Sequence, residues 1–239
     1  MKLLATTALA LSAATGASAV GFDGADLSYT YHSYDGGDFY NQQIEGRLSF
    51  SITPQIGAQL DLGGAGYDSD GVFEDTNYGL HVFYNVNDMT AVGVFWGRSA
   101  FGGGSYEDYI GVEASFSSGA FTGQAFFGGV NYDGEDPFNG RTVAGILGEY
   151  TLEGMASGPG DLTLFGRYNQ FNYGSDDISR MYGAGARYTL TNGLYGELEL
   201  GRYDDDFSDY DRITVTVGYE IGSGAKFERR DYYEVWQGY

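Results

Sequence analysis

The residues with the most obvious chemical potential are charged and imidazole side chains at alternate positions of otherwise apolar segments. Alternate positions of a strand share one face, so these side chains should line one surface. On the wall of a water-filled channel, opposite charges select ions or orient solutes, whereas in a filled interior the same charges pair and only hold the fold together. The set comprises the acids Asp26, Glu45, Asp61, Glu113, Glu149, Glu197, Glu199 and Glu220, the bases Arg47, Arg167, Arg187 and Arg212, and the histidines His32 and His81.

Hydrolysis is a weaker interpretation of the same residues. It needs a serine and a histidine within hydrogen-bond reach, with a third group to orient the histidine. His32 and Ser33 are adjacent, so they point to opposite sides of a strand, and His81 has no serine two residues away. No catalytic residue is predicted.

Acidic clusters between the apolar segments offer oxygen ligands to divalent cations such as calcium. They are Asp68-Ser69-Asp70-Gly71 with Glu74-Asp75, Asp133 with Glu135-Asp136, and Asp204-Asp205-Asp206 with Asp209 and Asp211. The twelve-residue spacing of an EF-hand loop is absent, so a solvated acidic rim is favoured over a defined metal site. The glycine-rich segments lack the strand–turn–helix setting of nucleotide-binding motifs, and no cofactor is predicted.

Composition narrows the class of protein. The chain has 239 residues and a formal net charge of −21, which excludes nucleic acid as a favoured partner. There is no cysteine, hence neither a disulfide framework nor a thiolate metal site. The 22 Tyr and 16 Phe argue for a folded chain, because disordered acidic chains lack aromatic residues.

Residues 1–19 have the pattern of a secretory signal peptide. Lys2 is followed by a short apolar stretch and by Ala17-Ser18-Ala19, a small-x-small cleavage site. We therefore expect an exported mature chain beginning at Val20, with residues 20–222 forming the fold and residues 223–239 a C-terminal tail. After the signal peptide, no apolar run is long enough for a membrane-spanning helix.

Alternation with period two recurs along the mature chain and predicts β-strands. In 43–52, for example, Ile44, Leu48 and Phe50 share one face while Glu45 and Arg47 share the other. Counting such segments predicts twelve strands: 25–34, 41–52, 55–65, 77–86, 89–99, 106–117, 120–131, 142–152, 161–172, 178–190, 193–204 and 211–222. The segment 89–99 fits least well, because Arg98 shares its parity with apolar residues.

An aromatic residue recurs near the end of every second strand, at Phe50, Tyr84, Phe116, Tyr150, Tyr188 and Tyr219. The connections after these strands are mostly short, and the others are generally longer and acidic. A hairpin array with an aromatic ring at one level and loops of alternating length is typical of outer-membrane barrels. Small residues on the apolar face fill a soluble core poorly, which favours an apolar face turned towards lipid.

In these features the chain resembles the Gram-negative outer-membrane β-barrels and is porin-like in style, although no diagnostic motif is present. The resemblance implies an antiparallel, up-and-down transmembrane barrel of about twelve strands in the cell outer membrane, with lipid and small hydrophilic solutes as partners. Twelve-stranded relatives include narrow channels for acidic oligosaccharides, a nucleoside channel and a surface phospholipase.

The favoured function is a diffusion channel with a weak cation preference, and the alternative is a non-conducting structural or surface-binding barrel. Divalent cations at the acidic loops are a further candidate partner. Inward glycines are expected to leave room for water; they are Gly79, Gly93, Gly111, Gly128, Gly145, Gly183 and Gly218. The chain continues past Ile221, where such barrels usually end, and this tail could extend into the periplasm, fold into the lumen or add a strand.

Overall fold

The computed structural model describes residues 20–35, 39–67, 74–133, 141–153, 160–174, 178–204 and 209–230. The predicted signal peptide lies outside these ranges. The described residues form twelve β-strands, and the predicted strands are confirmed with ends shifted by at most four residues. They are β1 (Gly21–Tyr34), β2 (Phe39–Ser51), β3 (Ile56–Tyr67), β4 (Asp75–Asn85), β5 (Thr90–Ala100), β6 (Tyr106–Ser118), β7 (Phe121–Tyr132), β8 (Arg141–Leu152), β9 (Gly160–Tyr173), β10 (Ile178–Leu190), β11 (Leu194–Asp204) and β12 (Asp209–Gly222).

Each strand pairs antiparallel with its neighbours in sequence, and β12 pairs with β1 to close the barrel. The closing register opposes Asp26 to Glu220 and Tyr34 to Arg212. Closure satisfies the backbone groups of every strand, which a sheet in lipid requires because its edges would find no hydrogen-bond partners. Within the described ranges, no helix has the length and apolar character to cross a membrane.

The outside of the barrel is apolar. Leu200 is 62% exposed, Ile146 59% and Val112 57%, values that a water-soluble barrel would keep for polar side chains. The predicted aromatic residues Tyr84 and Tyr150 also face outwards, near the short turns. The apolar face is therefore the outer face of the closed barrel, the arrangement that a membrane-spanning barrel requires. That this face meets lipid stays a prediction.

In strand β5, Arg98 shares the outer face with apolar residues, as its sequence position indicated. Arg98 points outwards near the long-loop end and pairs with Asp108 of β6. Its guanidinium also lies 4.1 Å from the ring centre of Tyr106 and 5.7 Å from that of Trp96. Charged groups among aromatic side chains at one barrel end are typical of the membrane–water interface.

The inside of the barrel is only partly polar. An apolar cluster on the side of β5–β9 contains Phe95, Tyr109, Val130, Val143 and Phe171, all buried. These strands put apolar residues on the inward parity towards the long-loop end, where they pack against one another instead of leaving a water-filled passage.

The expectation that inward glycines leave room for water is wrong. A Cβ atom at any of the seven predicted positions would lie within about 3.3 Å of a neighbouring atom, for example 2.3 Å from Glu199 at Gly183 and 2.2 Å from Tyr195 at Gly218. Side chains or backbone atoms of neighbouring strands already occupy the space above these glycines. The glycines therefore permit dense packing of the lumen.

Candidate functional site in the lumen

The chain turns back into the barrel as soon as β12 ends. Gly222 and Gly224 have positive φ angles of 65° and 68°, a conformation that favours glycine. The Ser223 amide donates to the Asp23 carbonyl at 3.1 Å, and the Gly224 amide donates to the Ile221 carbonyl at 3.3 Å. This turn directs residues 223–230, called here the lumenal tail, into the lumen. Of the three placements considered for the C-terminal tail, these residues adopt the lumenal one.

A glutamine of β3 holds the backbone of the lumenal tail. The side-chain oxygen of Gln59, Oε1, accepts from the backbone amides of Lys226, at 2.8 Å, and Phe227, at 2.9 Å. Its side-chain amide donates to the Phe227 carbonyl at 2.8 Å. Gln59 is fully buried, so these hydrogen bonds replace the pairing that a strand neighbour would provide.

The aromatic residue of the lumenal tail packs against the wall. Phe227 is 1% exposed and stacks on the His81 ring, with the ring centres 5.9 Å apart. It also meets Phe83 edge to face at 5.5 Å. The tail is therefore anchored by apolar burial as well as by polar contacts.

Two consecutive arginines of the lumenal tail reach carboxylates on different strands. Arg229 Nη2 lies 2.9 Å from Glu45 Oε1 on β2, and Arg230 Nε lies 3.3 Å from Glu113 Oε2 on β6. All four residues are buried, at 8% exposure or less. Buried charges are costly unless paired, so the two arginines and the two carboxylates depend on one another.

A carboxylate of the lumenal tail continues this network towards β1. Glu228 Oε2 lies 2.6 Å from Arg47 Nη1, and Arg47 Nη2 lies 2.9 Å from Asp26 Oδ1. Burial alone would raise the pKa of Glu228, but the surrounding guanidinium groups, Arg47 foremost, hold it below its ordinary value. Glu228 is therefore ionised at neutral pH.

The opposite wall carries its own ion pairs, which do not involve the tail arginines. Glu199 lies 2.6 Å from Arg212 and 3.2 Å from Arg167. Arg187 lies 2.8 Å from Glu197, with two more distant acids, Glu220 at 3.7 Å and Glu149 at 3.9 Å.

All twelve acids and arginines predicted to face inwards point into the barrel. Eleven of them lie within 4 Å of an oppositely charged side chain, and Asp61 lies 2.7 Å from His81 Nε2. Sequence reasoning missed further inward acids, among them Asp75 and Glu107. Asp75 accepts from the Gly102 amide at 2.8 Å, and Glu107 accepts from the Tyr109 hydroxyl at 2.6 Å. Glu107 shares the parity of Glu113 and could have been found by that signal. The roles of Gln59 and of the tail arginines have no signal of comparable strength.

The two histidines lie in different surroundings. His81 bridges two carboxylates, with Nε2 2.7 Å from Asp61 and Nδ1 2.6 Å from Glu113. His32 Nδ1 lies 2.8 Å from the Thr214 hydroxyl, and its Nε2 lies 3.0 Å from the Gln43 amide nitrogen.

The polar cavities lie around the lumenal tail. One of them has a volume of about 630 Å³, lies towards the short-turn end and is lined by Arg47, Glu149, Arg187, Glu220 and residues of the tail. Between the tail and the opposite wall the space narrows to a cavity of about 40 Å³. A water needs roughly 10–15 Å³ on such a measure, so this part of the lumen holds only a few waters.

The acidic loops lie largely outside the described residues, including Asp70, Asp136 and Asp205. At the part of the rim that is described, Arg202 pairs with Asp209 and lies 2.8 Å from Asp211. Among the described residues no group of three or more acids, histidines or cysteines could hold a metal ion.

No family model matches the chain, and no curated protein matches its sequence. Solved structures with a similar fold are outer-membrane channels. An outer-membrane channel from Pseudomonas putida F1 has a TM-score of 0.57 at 12% identity, covering 84% of this chain and 96% of the other. The KdgM porin has a TM-score of 0.55 at 11% identity, covering 81% and 98%, and it has also been solved in complex with disordered oligogalacturonate.

At this low identity the similarity concerns the fold. The predicted architecture, a closed antiparallel barrel of twelve strands with an apolar exterior, is confirmed, and these channels have a similar fold. The chain therefore has the fold of the outer-membrane channel and porin barrels of Gram-negative bacteria.

Proposed function

We propose that the chain is a porin-like channel of the outer membrane, which carries ions and small hydrophilic solutes by passive diffusion with a weak preference for cations. The observation that supports this most is the charged inner wall, where Asp26, Glu45, Arg47 and Glu199 are buried inside an otherwise lipid-facing barrel. Apolar side chains would fill such an interior at least as stably, because buried ion pairs seldom add stability over apolar packing.

The cation preference follows from the balance of charge. The predicted wall residues include eight carboxylates and four arginines, and the lumenal tail adds one carboxylate, two arginines and a lysine. The tail therefore makes the lumen less negative. Charges in a narrow lumen are screened less than those on an open surface, so cations should be favoured, and more strongly once the tail has moved away.

The lumenal tail narrows the described lumen, and we propose that conduction requires its displacement. The tail is held by side chains and ion pairs rather than by strand pairing, as Gln59, Glu45 and Glu113 illustrate. Such contacts can be exchanged for water and solute ions without opening the barrel. The same observation supports a second candidate, a non-conducting barrel in which the tail is permanent.

Location and function can be tested separately. In cell fractionation, the mature protein should start at Val20 and remain in the outer-membrane fraction, and boiled and unboiled samples should migrate differently on a gel. Recovery as a soluble protein with heat-independent migration would refute the membrane barrel.

Function is tested by the reversal potential in a planar bilayer under a salt gradient. We expect a cation-selective current that becomes less selective when Glu45, Glu113 and Glu199 are replaced by Gln and when salt is raised. Clear anion selectivity would refute the charge argument. The absence of current from correctly folded protein, both intact and with the tail released, would favour the non-conducting barrel.

A further inference from the structure

The wall of the lumen contains a site shaped around the guanidinium of Arg229. Its Nη2 donates to Gln43 Oε1 at 3.0 Å and lies 2.9 Å from Glu45 Oε1. Gly63 faces the same group, and a Cβ atom there would lie 2.6 Å from Arg229 Nη1. This first guanidinium site thus combines a carboxylate, an amide oxygen and a gap that only glycine leaves.

A second site of similar construction surrounds Arg230. Its Nε lies 3.3 Å from Glu113 Oε2, and its Nη2 donates to Gln124 Oε1 at 3.1 Å. The guanidinium carbon lies 4.4 Å from the ring centre of Phe126. This second guanidinium site combines a carboxylate, an amide oxygen and an aromatic face, which together suit a planar cation.

The two guanidinium sites lie on different sides of the tail, as the side chains of two consecutive residues in an extended peptide do. Consecutive side chains of an extended chain point to opposite sides, so Arg229 reaches β2 while Arg230 reaches β6. Glu45, Gln43, Glu113 and Gln124 all belong to the barrel wall and none to the tail. The sites are therefore features of the lumen that the tail fills.

We propose that these two sites form a receptor for guanidinium-bearing peptides, in particular extended peptides with two adjacent arginines, and that the lumenal tail occupies it in cis. The proposal rests on the proposed channel function and names a solute class for it. Lysine should bind less well, because an ammonium is a point charge that neither spans two acceptors in one plane nor stacks as well on Phe126.

The test uses the full chain with Arg229→Gln and Arg230→Gln, which empties both sites of guanidinium groups. Isothermal titration in detergent measures the binding of N-acetyl-Arg-Arg-amide, with the Lys-Lys and citrulline-citrulline analogues as controls. We expect the double variant to bind the Arg-Arg peptide at least tenfold more tightly than the native chain does, and at least tenfold more tightly than it binds either analogue. Two linked contacts should also make this peptide bind more tightly than arginine amide.

Two further variants separate the sites from general electrostatics. Adding Glu45→Gln and Glu113→Gln to the double variant should abolish peptide binding. Adding Glu197→Gln, which removes a lumenal charge that pairs with Arg187 on the opposite wall, should change it less than threefold. If the double variant loses heat-dependent migration, the peptides are instead added to the native chain as competitors of the tail. Release of the tail is then followed by cleavage with chymotrypsin after Phe227, because trypsin would also cleave the Arg-Arg peptide.

The outcomes also separate this inference from the channel itself. A folded variant that conducts but binds all three peptides equally, or none, would overturn the receptor and leave the channel intact. Selective Arg-Arg binding without any current would support the receptor and refute the channel. Equal binding after removal of Glu45 and Glu113 would place the peptide elsewhere and overturn the proposal.

Discussion

Arg229 and Gly63 face each other so closely that a single methyl group between them would lie 2.6 Å from the Arg229 Nη1 atom. Gly63 belongs to β3, in the first half of the chain, whereas Arg229 lies beyond the last strand. The barrel wall thus leaves space for the side chain of a residue that belongs to no strand. This contact ties the position of the tail to one residue of the wall, where it can be tested.

Gly63→Ala should displace Arg229 without changing any charge. The added methyl group is too close to Arg229 Nη1, so the guanidinium should move out of its contacts with Gln43 and Glu45, the tail should be held less tightly, and the single-channel conductance should rise. Gly196→Ala is the matched control, because nothing lies within 4 Å of a Cβ atom at that outward position. Equal conductance in both folded variants would mean that the tail does not limit the current.

Gln59→Leu should release the tail backbone. The substitution removes the acceptor of the buried Phe227 amide and the closer acceptor of the Lys226 amide, which keeps Ser49 Oγ at 3.3 Å. An unsatisfied buried group costs about 1–3 kcal/mol. Trypsin cleaves after lysine and arginine, so digestion at Lys226, Arg229 or Arg230 in the folded barrel should be faster in this variant than in the native chain.

The control for that digestion is Gln42→Leu. Gln42 lies on the outer parity of β2 and accepts from Tyr29, away from the tail. Rapid cleavage of the native tail, at the rate found for Gln59→Leu, would contradict the buried placement of residues 226–230.

The orientation of the barrel can be determined by thiol labelling, since the chain contains no cysteine. Gly103, in the turn between β5 and β6, has open space around its Cβ position and lies at the long-loop end. Gly103→Cys should react with an impermeant reagent on intact cells, whereas Ser118→Cys at the short-turn end should react only after permeabilisation. The reverse pattern would invert the topology.

The strands were predictable because one face of each meets lipid and the other the lumen, so that period two is enforced along the chain. The parity of Glu45, Glu113 and Glu199 followed directly. Arg98 shows how such a pattern is interrupted without breaking the strand, since its charge pairs with Asp108 at the membrane–water interface.

The position of the lumenal tail could not be predicted from the alternation of residues in the strands. Gln59 and Phe227 are 168 residues apart and share no periodic pattern. The inward glycines were misinterpreted for the same reason, since sequence parity shows that Gly183 faces inwards but not that Glu199 fills its space. Contacts across a lumen depend on side-chain length and on strand stagger, which alternation does not encode.

The most direct test of the account compares the single-channel conductance of the native chain with that of a chain ending at Gly224, which retains all twelve strands. Both proteins should first show heat-dependent migration, as evidence of a closed barrel. The account predicts that the shortened chain conducts several-fold more than the native chain, because the space that residues 225–230 fill in the lumen is freed. A folded, shortened barrel with no greater conductance than the native chain would contradict it.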